Sequence, residues 1–194
     1  MCTIGLDLSF ALDGFLLKNI RDTLKHNKDL LMEATKHRTM DEKWRPLNLQ
    51  NSQSASQLSQ EMLQLGIANF NSHIYDKCWV NLSSSTVMFT KAFINFLDNE
   101  MKLYIPELYT DIVDSMMEVL QHYVDILASF AVSDRHTRER EFILQNIEFI
   151  FNTMIPLTET KTKDIIGHQV KSLTNLYKEH QKIKQQVESL GVLI

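Results

Sequence analysis

From Val87 to Tyr104 the large apolar residues fall at Val87, Phe89, Phe93, Phe96, Leu97, Met101 and Tyr104. Steps of three, four and seven place them on one stripe of an α-helix. Pro106 ends or bends that helix, and a second stripe starts at once with Leu108, Ile112, Val113, Met116, Leu120, Tyr123, Leu127 and Phe130. Proline is well tolerated at the first position of a helix, so the pattern predicts a new helix over 106–130. The stretch from Asp76 to Leu108 is therefore the predicted pivot of the fold. Trp79, Phe89, Phe93 and Phe96 are its expected core.

Upstream, the spacing predicts a long first helix from Ile4 to about Arg38. Phe10, Leu17, Leu24 and Leu31 fall seven apart, with Ile20 and Ala34 on the same side. Asp13 and Asn27 interrupt the second row, which argues against a long dry coiled coil. Gly5 and Gly14 each cost about 1 kcal/mol against alanine, so the start is expected to kink or to begin later. Residues 39–54 form the expected linker. Trp44-Arg45-Pro46 should be extended because a residue before proline avoids the helical region, with Trp44 plugging a groove between helices. A short helix from about Ala55 to Leu65 turns Leu58, Met62 and Leu65 inward and stops at Gly66, placed as a C′ glycine should be. Residues 67–79 read as an irregular segment pinned by Phe70, Tyr75 and Trp79.

Downstream, 133–140 is a polar turn in which Asp134 can cap the next helix. That helix carries Phe142, Ile143, Ile147, Ile150, Phe151 and Met154, and Pro156 closes it. The last helix, from about Thr160 to Leu190, is thinly apolar: Ile166, Val170, Leu173, Leu176, Tyr177, Ile183 and Val187, with a stop at Gly191. So narrow a stripe implies one packed face and two exposed ones. The expected fold class is all-α, about six helices packed antiparallel in an elongated stack of bundles. The expected division is 1–105 as a first bundle portion and 106–194 as a C-terminal bundle.

Composition agrees with the pattern. Five glycines and three prolines in 194 residues suit long helices with few turns and argue against a β-sandwich. A net charge of -4 gives no cationic surplus for a nucleic-acid backbone, so nucleic acid is not an expected partner. Cys2 and Cys78 make no C-x-x-C and are too few for a disulfide framework, which points to a reduced, cytosolic setting with free buried thiols. Asp7 and Asp13 break any secretory apolar core, and no run approaches the length of a membrane span. Acids dominate 98–125 (Asp98, Glu100, Glu107, Asp111, Asp114, Glu118, Asp125) against Lys102 alone, whereas lysines dominate 161–188. Solvated helix surface accounts for both runs, although such faces can steer a partner.

No catalytic constellation is present in the sequence. The histidines make no H-E-x-x-H, and no Glu precedes a His by three as a di-iron bundle requires. Glu33 with His37 and Glu118 with His122 read as surface pairs. No phosphate-cradling glycine loop exists, and nothing adjacent activates Cys78 as a nucleophile. Met88, Met101, Met116, Met117 and Met154 read as core filler. Catalytic, cofactor-binding and metal-binding residues are accordingly expected to be none. The lysines of the last helix leave a minority reading, a module lying on an anionic membrane surface.

Several segments together resemble a known family. They are Leu6-Asp7-Leu8-Ser9-Phe10, Glu33 to Arg38, Trp44-Arg45 with Asn48-Leu49, and Cys78 to Ser83. Phe89-Thr90-Lys91 and Lys102-Leu103-Tyr104 with Pro106-Glu107-Leu108 continue the series, and Asn146, Phe149 and Pro156 correspond more loosely. In order and spacing they resemble the C-terminal region of exocyst complex component eight. The resemblance implies a rod-like helical-bundle fold shared by vesicle-tethering subunits, no enzymatic activity, and other exocyst subunits as partners. It also implies a cytoplasmic protein, peripheral at plasma-membrane sites of secretion, touching the membrane indirectly if at all. In that family the contact with Ral-type small GTPases belongs to a pleckstrin-homology domain, to which no segment of this sequence is expected to correspond.

Overall fold

The computed structural model describes residues 3–190, and side chains from Gly14 onward. Expectations that rest on Cys2 or Gly191, or on the side chains of Phe10 or Asp13, lie outside that description. Helix α1 (Thr3–Met40) runs without a break through Gly14 and, at 1.5 Å per residue, its 38 residues reach roughly 57 Å. It lies along α4 (Tyr109–Val132) and α3 (Ser84–Met101). The contact is a stripe in which Leu24 and Thr39 are buried and Leu17, Ile20 and Leu31 half-buried. Thr35 is also buried on this face, and the buried Thr39 hydroxyl donates to the Thr35 carbonyl at 2.7 Å.

Helix α2 (Ser52–Gln64) is capped by Asn51, whose side chain accepts from the Ser54 N–H, and it buries Ala55, Leu58 and Met62 while Leu65 is half-buried. Gly66 follows at φ +103°, where an added Cβ would stand 3.0 Å from Leu157 Cδ1. Both the backbone angle and the close approach require glycine there. The next segment is not irregular. A 3₁₀ turn (Phe70–His73) leads into β2 (Ile74–Tyr75), which hairpins onto β3 (Trp79–Val80), and β3 pairs on its other side with β1 (Leu47–Asn48). Leu47 sits opposite Val80, and Ile74 sits opposite Val80 on the far edge. This three-stranded sheet is the one departure from an all-helical layout among the described residues. Of its three expected anchors only Phe70 is fully buried; Trp79 is half-buried and Tyr75 faces solvent.

Ser83 caps α3, accepting from the Thr86 N–H at 3.1 Å. Val87, Phe89, Phe93, Phe96, Leu97 and Met101 are all buried, and Phe89 stacks between Phe93 and Tyr123 of α4 with centroids 5.7 and 3.8 Å away. Met88 is exposed, a correction to its reading as core filler. A polar seam crosses this apolar centre. Tyr123 and Thr86 share a hydroxyl hydrogen bond at 2.9 Å, Thr86 and Ser83 another, and Ser83 N–H donates to Asn146 Oδ1. Every member finds a partner, so the seam fixes the register of α3, α4 and α5 at little desolvation cost.

Three corrections concern the second half. Asp134 does not cap the following helix: the Ser133 side chain caps a 3₁₀ turn (Asp134–His136), and α5 (Arg140–Phe149) starts without a side-chain cap. Pro156 does not end that helix. A π turn (Ile150–Met154) widens the coil, with the Ile155 N–H reaching the Ile150 carbonyl, and α6 (Ile155–Ile166) continues with Pro156 in its first turn. The wider bonding accommodates a ring that has no N–H to give and would otherwise strike the preceding turn. The true break is Gly167, left-handed at φ +86°, and a separate α7 (Leu173–Ser189) follows. On α7, Leu173, Leu176, Ile183 and Val187 are buried while Lys171 before it and Lys178 and Lys182 on it are exposed, the single packed face that the thin stripe implied. The buried cluster runs continuously from Leu24 to Val187.

Candidate functional site

Two clefts hold the polar side chains that could meet a partner. The first, about 560 Å³, lies where α5 and α7 meet the hairpin and is lined by His73, Leu144, Phe149, Asn152, His180 and Lys184, among others. Its hub is Glu148. One carboxylate oxygen accepts from His180 Nε2 at 3.1 Å and from Lys184 Nζ at 2.6 Å, and the other accepts from Asn152 at 2.8 Å. Burial opposes ionisation of Glu148, but Lys184, His180 and Asn152 outweigh it and hold the carboxyl below its ordinary value. Burial pushes the His180 imidazole down, with Glu148 offsetting part of the effect, and the ring lies flat on Phe151 with centroids 4.1 Å apart. Burial also lowers His73, which stands edge-on to Phe149. These groups are satisfied by one another, so the cluster clamps α7 to α5.

The second cleft, about 540 Å³, lies between the end of α1, strand β1 and the start of α3. Arg38, Lys43, Arg45, Asn48, Trp79 and Ser84 line it together with Asp41 and Glu42. Trp44 organises this corner. Its backbone is left-handed (φ +47°) rather than extended, and its indole is buried against Phe130 with centroids 5.1 Å apart. The plug was foreseen from the sequence; the backbone turn that seats it was not. Glu42 accepts from its neighbour Lys43 N–H at 2.9 Å and from Ser85 N–H at 2.7 Å, tying the corner to the first turn of α3. Segments far apart in sequence thus converge on this cleft: Arg38 at the end of α1, Arg45 with Leu47 and Asn48, and Trp79 with Ser84. Cys78 is a free, half-buried thiol at the hairpin rather than a fully buried one, and its carbonyl accepts from Leu49 N–H at 2.8 Å.

Part of the acidic run is tied into the fold, while Glu107, Asp114 and Asp125 are exposed helix surface as expected. Arg21 on α1 donates to Asp111 at 2.9 Å, Lys28 on α1 pairs with Glu118, and Lys161 on α6 donates to both oxygens of Asp98 at 2.8 and 3.1 Å. Glu118 therefore does not pair with His122, whereas Glu33 and His37 do form an exposed surface pair at 3.8 Å. One acid is out of place. Glu100 is 2% exposed, neither oxygen has a hydrogen-bond partner, and burial lifts its carboxyl from 4.5 to about 8, with the Lys28 charge pulling the other way. It lies seven residues after Phe93 and three after Leu97, on the buried stripe itself. That register was the signal by which the sequence could have revealed it. Among the described residues no group of three or more metal-ligating side chains converges, and no helix is long and apolar enough to cross a membrane.

The human protein named exocyst complex component 8 is 35% identical over 186 residues, 96% of this chain and 26% of its own length. The chicken protein of that name is 36% identical over 173 residues, 89% of this chain and 24% of its own. The Xenopus laevis protein is 34% identical over 186 residues, 96% of this chain and 27% of its own. The chain is a homologue of part of exocyst complex component 8. It spans about a quarter of the length of the curated relatives it matches, consistent with the C-terminal region named above. No family profile matches the chain. No solved structure matches it either. The likeness to exocyst complex component 8 covers α1 to α7 and so includes both clefts.

Proposed function

We propose that this chain is a non-catalytic part of an exocyst subunit and that it acts as a helical scaffold, docking other subunits so that secretory vesicles are held at the plasma membrane before fusion. It works in the cytoplasm, peripheral to the membrane. The observation that carries this reading is the identity of about a third over nearly the whole chain with proteins named as exocyst components. The long helices and single buried cluster suit a stiff strut, whose work is mechanical: it sets the distance and angle between the surfaces at which neighbours bind.

Docking contacts are assigned to the exposed sides of the last helices. α7 packs along one narrow stripe and leaves Lys171, Lys178 and Lys182 open, with only Lys182 held by Glu179. Charge reversal at these three lysines should reduce co-purification with the other exocyst subunits while leaving the melting transition in place. Undiminished co-purification would remove the last helices as the docking face. Sedimentation of the chain with anionic liposomes in a salt-sensitive way would instead support a membrane-surface module.

A further inference from the structure

The cleft between α1, β1 and α3 gathers three cations on one surface. Arg38, Lys43 and Arg45 line it, and none of the three has an ion-pair partner. By contrast, Arg21, Lys28, Lys91, Lys161 and Lys184 are each neutralised by a carboxylate from another element. The acids of the cleft do not cancel its cations. Glu42 has an oxygen on each of two backbone N–H groups but keeps its charge, so Arg38, Lys43 and Arg45 exceed Asp41 and Glu42 by one positive charge. In a chain of net charge -4 this is a local inversion of sign. Trp44, buried and left-handed, pins the backbone between Lys43 and Arg45, so both cations start from a fixed frame. Below them Pro46, Leu47 and the half-buried Trp79 give the cleft an apolar wall.

We propose that this cleft binds a short acidic segment of a partner protein, carboxylates against Arg38, Lys43 and Arg45 and one apolar side chain against Leu47 and Trp79. Charge complementarity selects the sign of the ligand, and shape selects its class. A concave cleft of about 540 Å³ admits one or two side chains. A flat anionic bilayer would meet a cleft with only one net positive charge on a chain that is acidic overall, where each cation at a surface adds only about 1 kcal/mol. Arg38 and Arg45 can also grip a carboxylate with two parallel N–H bonds, which a point charge cannot do.

The proposal rests on the subunit reading only for the partner's being a protein. Its test therefore uses the purified 194-residue chain alone. A fluorescently labelled peptide of sequence Glu-Glu-Leu-Glu-Glu is titrated by anisotropy at low and moderate salt, beside vesicles containing a phosphoinositide. Binding should weaken roughly tenfold in Arg45→Glu and in Lys43→Glu, fall with salt, and stay unchanged in Lys18→Glu on the distant part of α1. The neutral Arg45→Gln and Lys43→Gln variants give smaller losses in the same direction and serve if a reversed charge unsettles the fold, which melting curves report. Equal binding by wild type and all four cleft variants would overturn the proposal. Binding to the vesicles but not the peptide, lost in the same variants, would overturn the protein-partner assignment. Failure to capture exocyst subunits from cells would leave the peptide result standing, so the two readings fail separately.

Discussion

Replacing Glu100 with glutamine should stabilise this protein at neutral pH. Glu100 sits on α3 at 2% exposure with neither oxygen hydrogen-bonded, and its carboxyl titrates near 8 in the fold against an ordinary 4.5. Burial is the main cause, because the charged form loses its water. The Lys28 charge pulls the other way without overcoming burial. For an acid whose folded value is raised, the stabilising contribution is full below the unfolded value and is lost as pH rises through the folded one. Between about pH 4.5 and pH 8 the unfolded chain releases a proton that the folded chain keeps. At about 1.4 kcal/mol per pH unit this amounts to roughly 5 kcal/mol across the window and about 3 kcal/mol by pH 7. That is a large share of the 5–15 kcal/mol typical of a domain. Glutamine keeps the shape of the protonated acid and cannot ionise. Urea unfolding followed by far-UV circular dichroism should give equal stability for the two proteins near pH 4.5 and a gap, in favour of Glu100→Gln, that widens to about 3 kcal/mol at pH 7. Curves that stay parallel from about pH 4.5 to pH 8 would refute the reasoning.

Two further substitutions test the packing. Phe93 is fully buried and stacked on Phe89, so Phe93→Ala should cost about 3–5 kcal/mol, and a variant that melts like wild type would place the pivot of the fold elsewhere. Gly66→Ala forces a Cβ at φ +103° to within 3.0 Å of Leu157, so urea unfolding should show a loss of about 1–2 kcal/mol, and no loss would mean that the α2 end is free to shift away from α6.

The long helices were legible because their cores are written at helical spacing. Phe89, Phe93 and Leu97 announce α3, Ile112 to Leu127 announce α4, and Gly66 marks the end of α2 where a C′ glycine belongs. What escaped reading lacks a period. Strands of two residues cannot alternate, and the hairpin turns at Asp76 and Lys77, both left-handed without glycine, so residues 67–79 carried no turn signal. Pro156 is a stop by local rule and a π turn by tertiary demand, because Ile155 and Thr158 on either side of it are both buried. Glu100 was grouped with the exposed acids because a count of charges ignores register. The cleft was hidden for a different reason. Arg38, Arg45 and Trp79 belong to separate segments, and only the pairing of β1 with β3 brings them together.

Affinity capture of the tagged chain from cell extract, read by mass spectrometry with Phe93→Ala as an unfolding control, tests the central claim most directly. The account predicts that wild type brings down other exocyst subunits in proportions that survive washing and that the unfolded control does not. Recovery of the chain without any exocyst subunit, from an extract in which the assembly is intact, would contradict it.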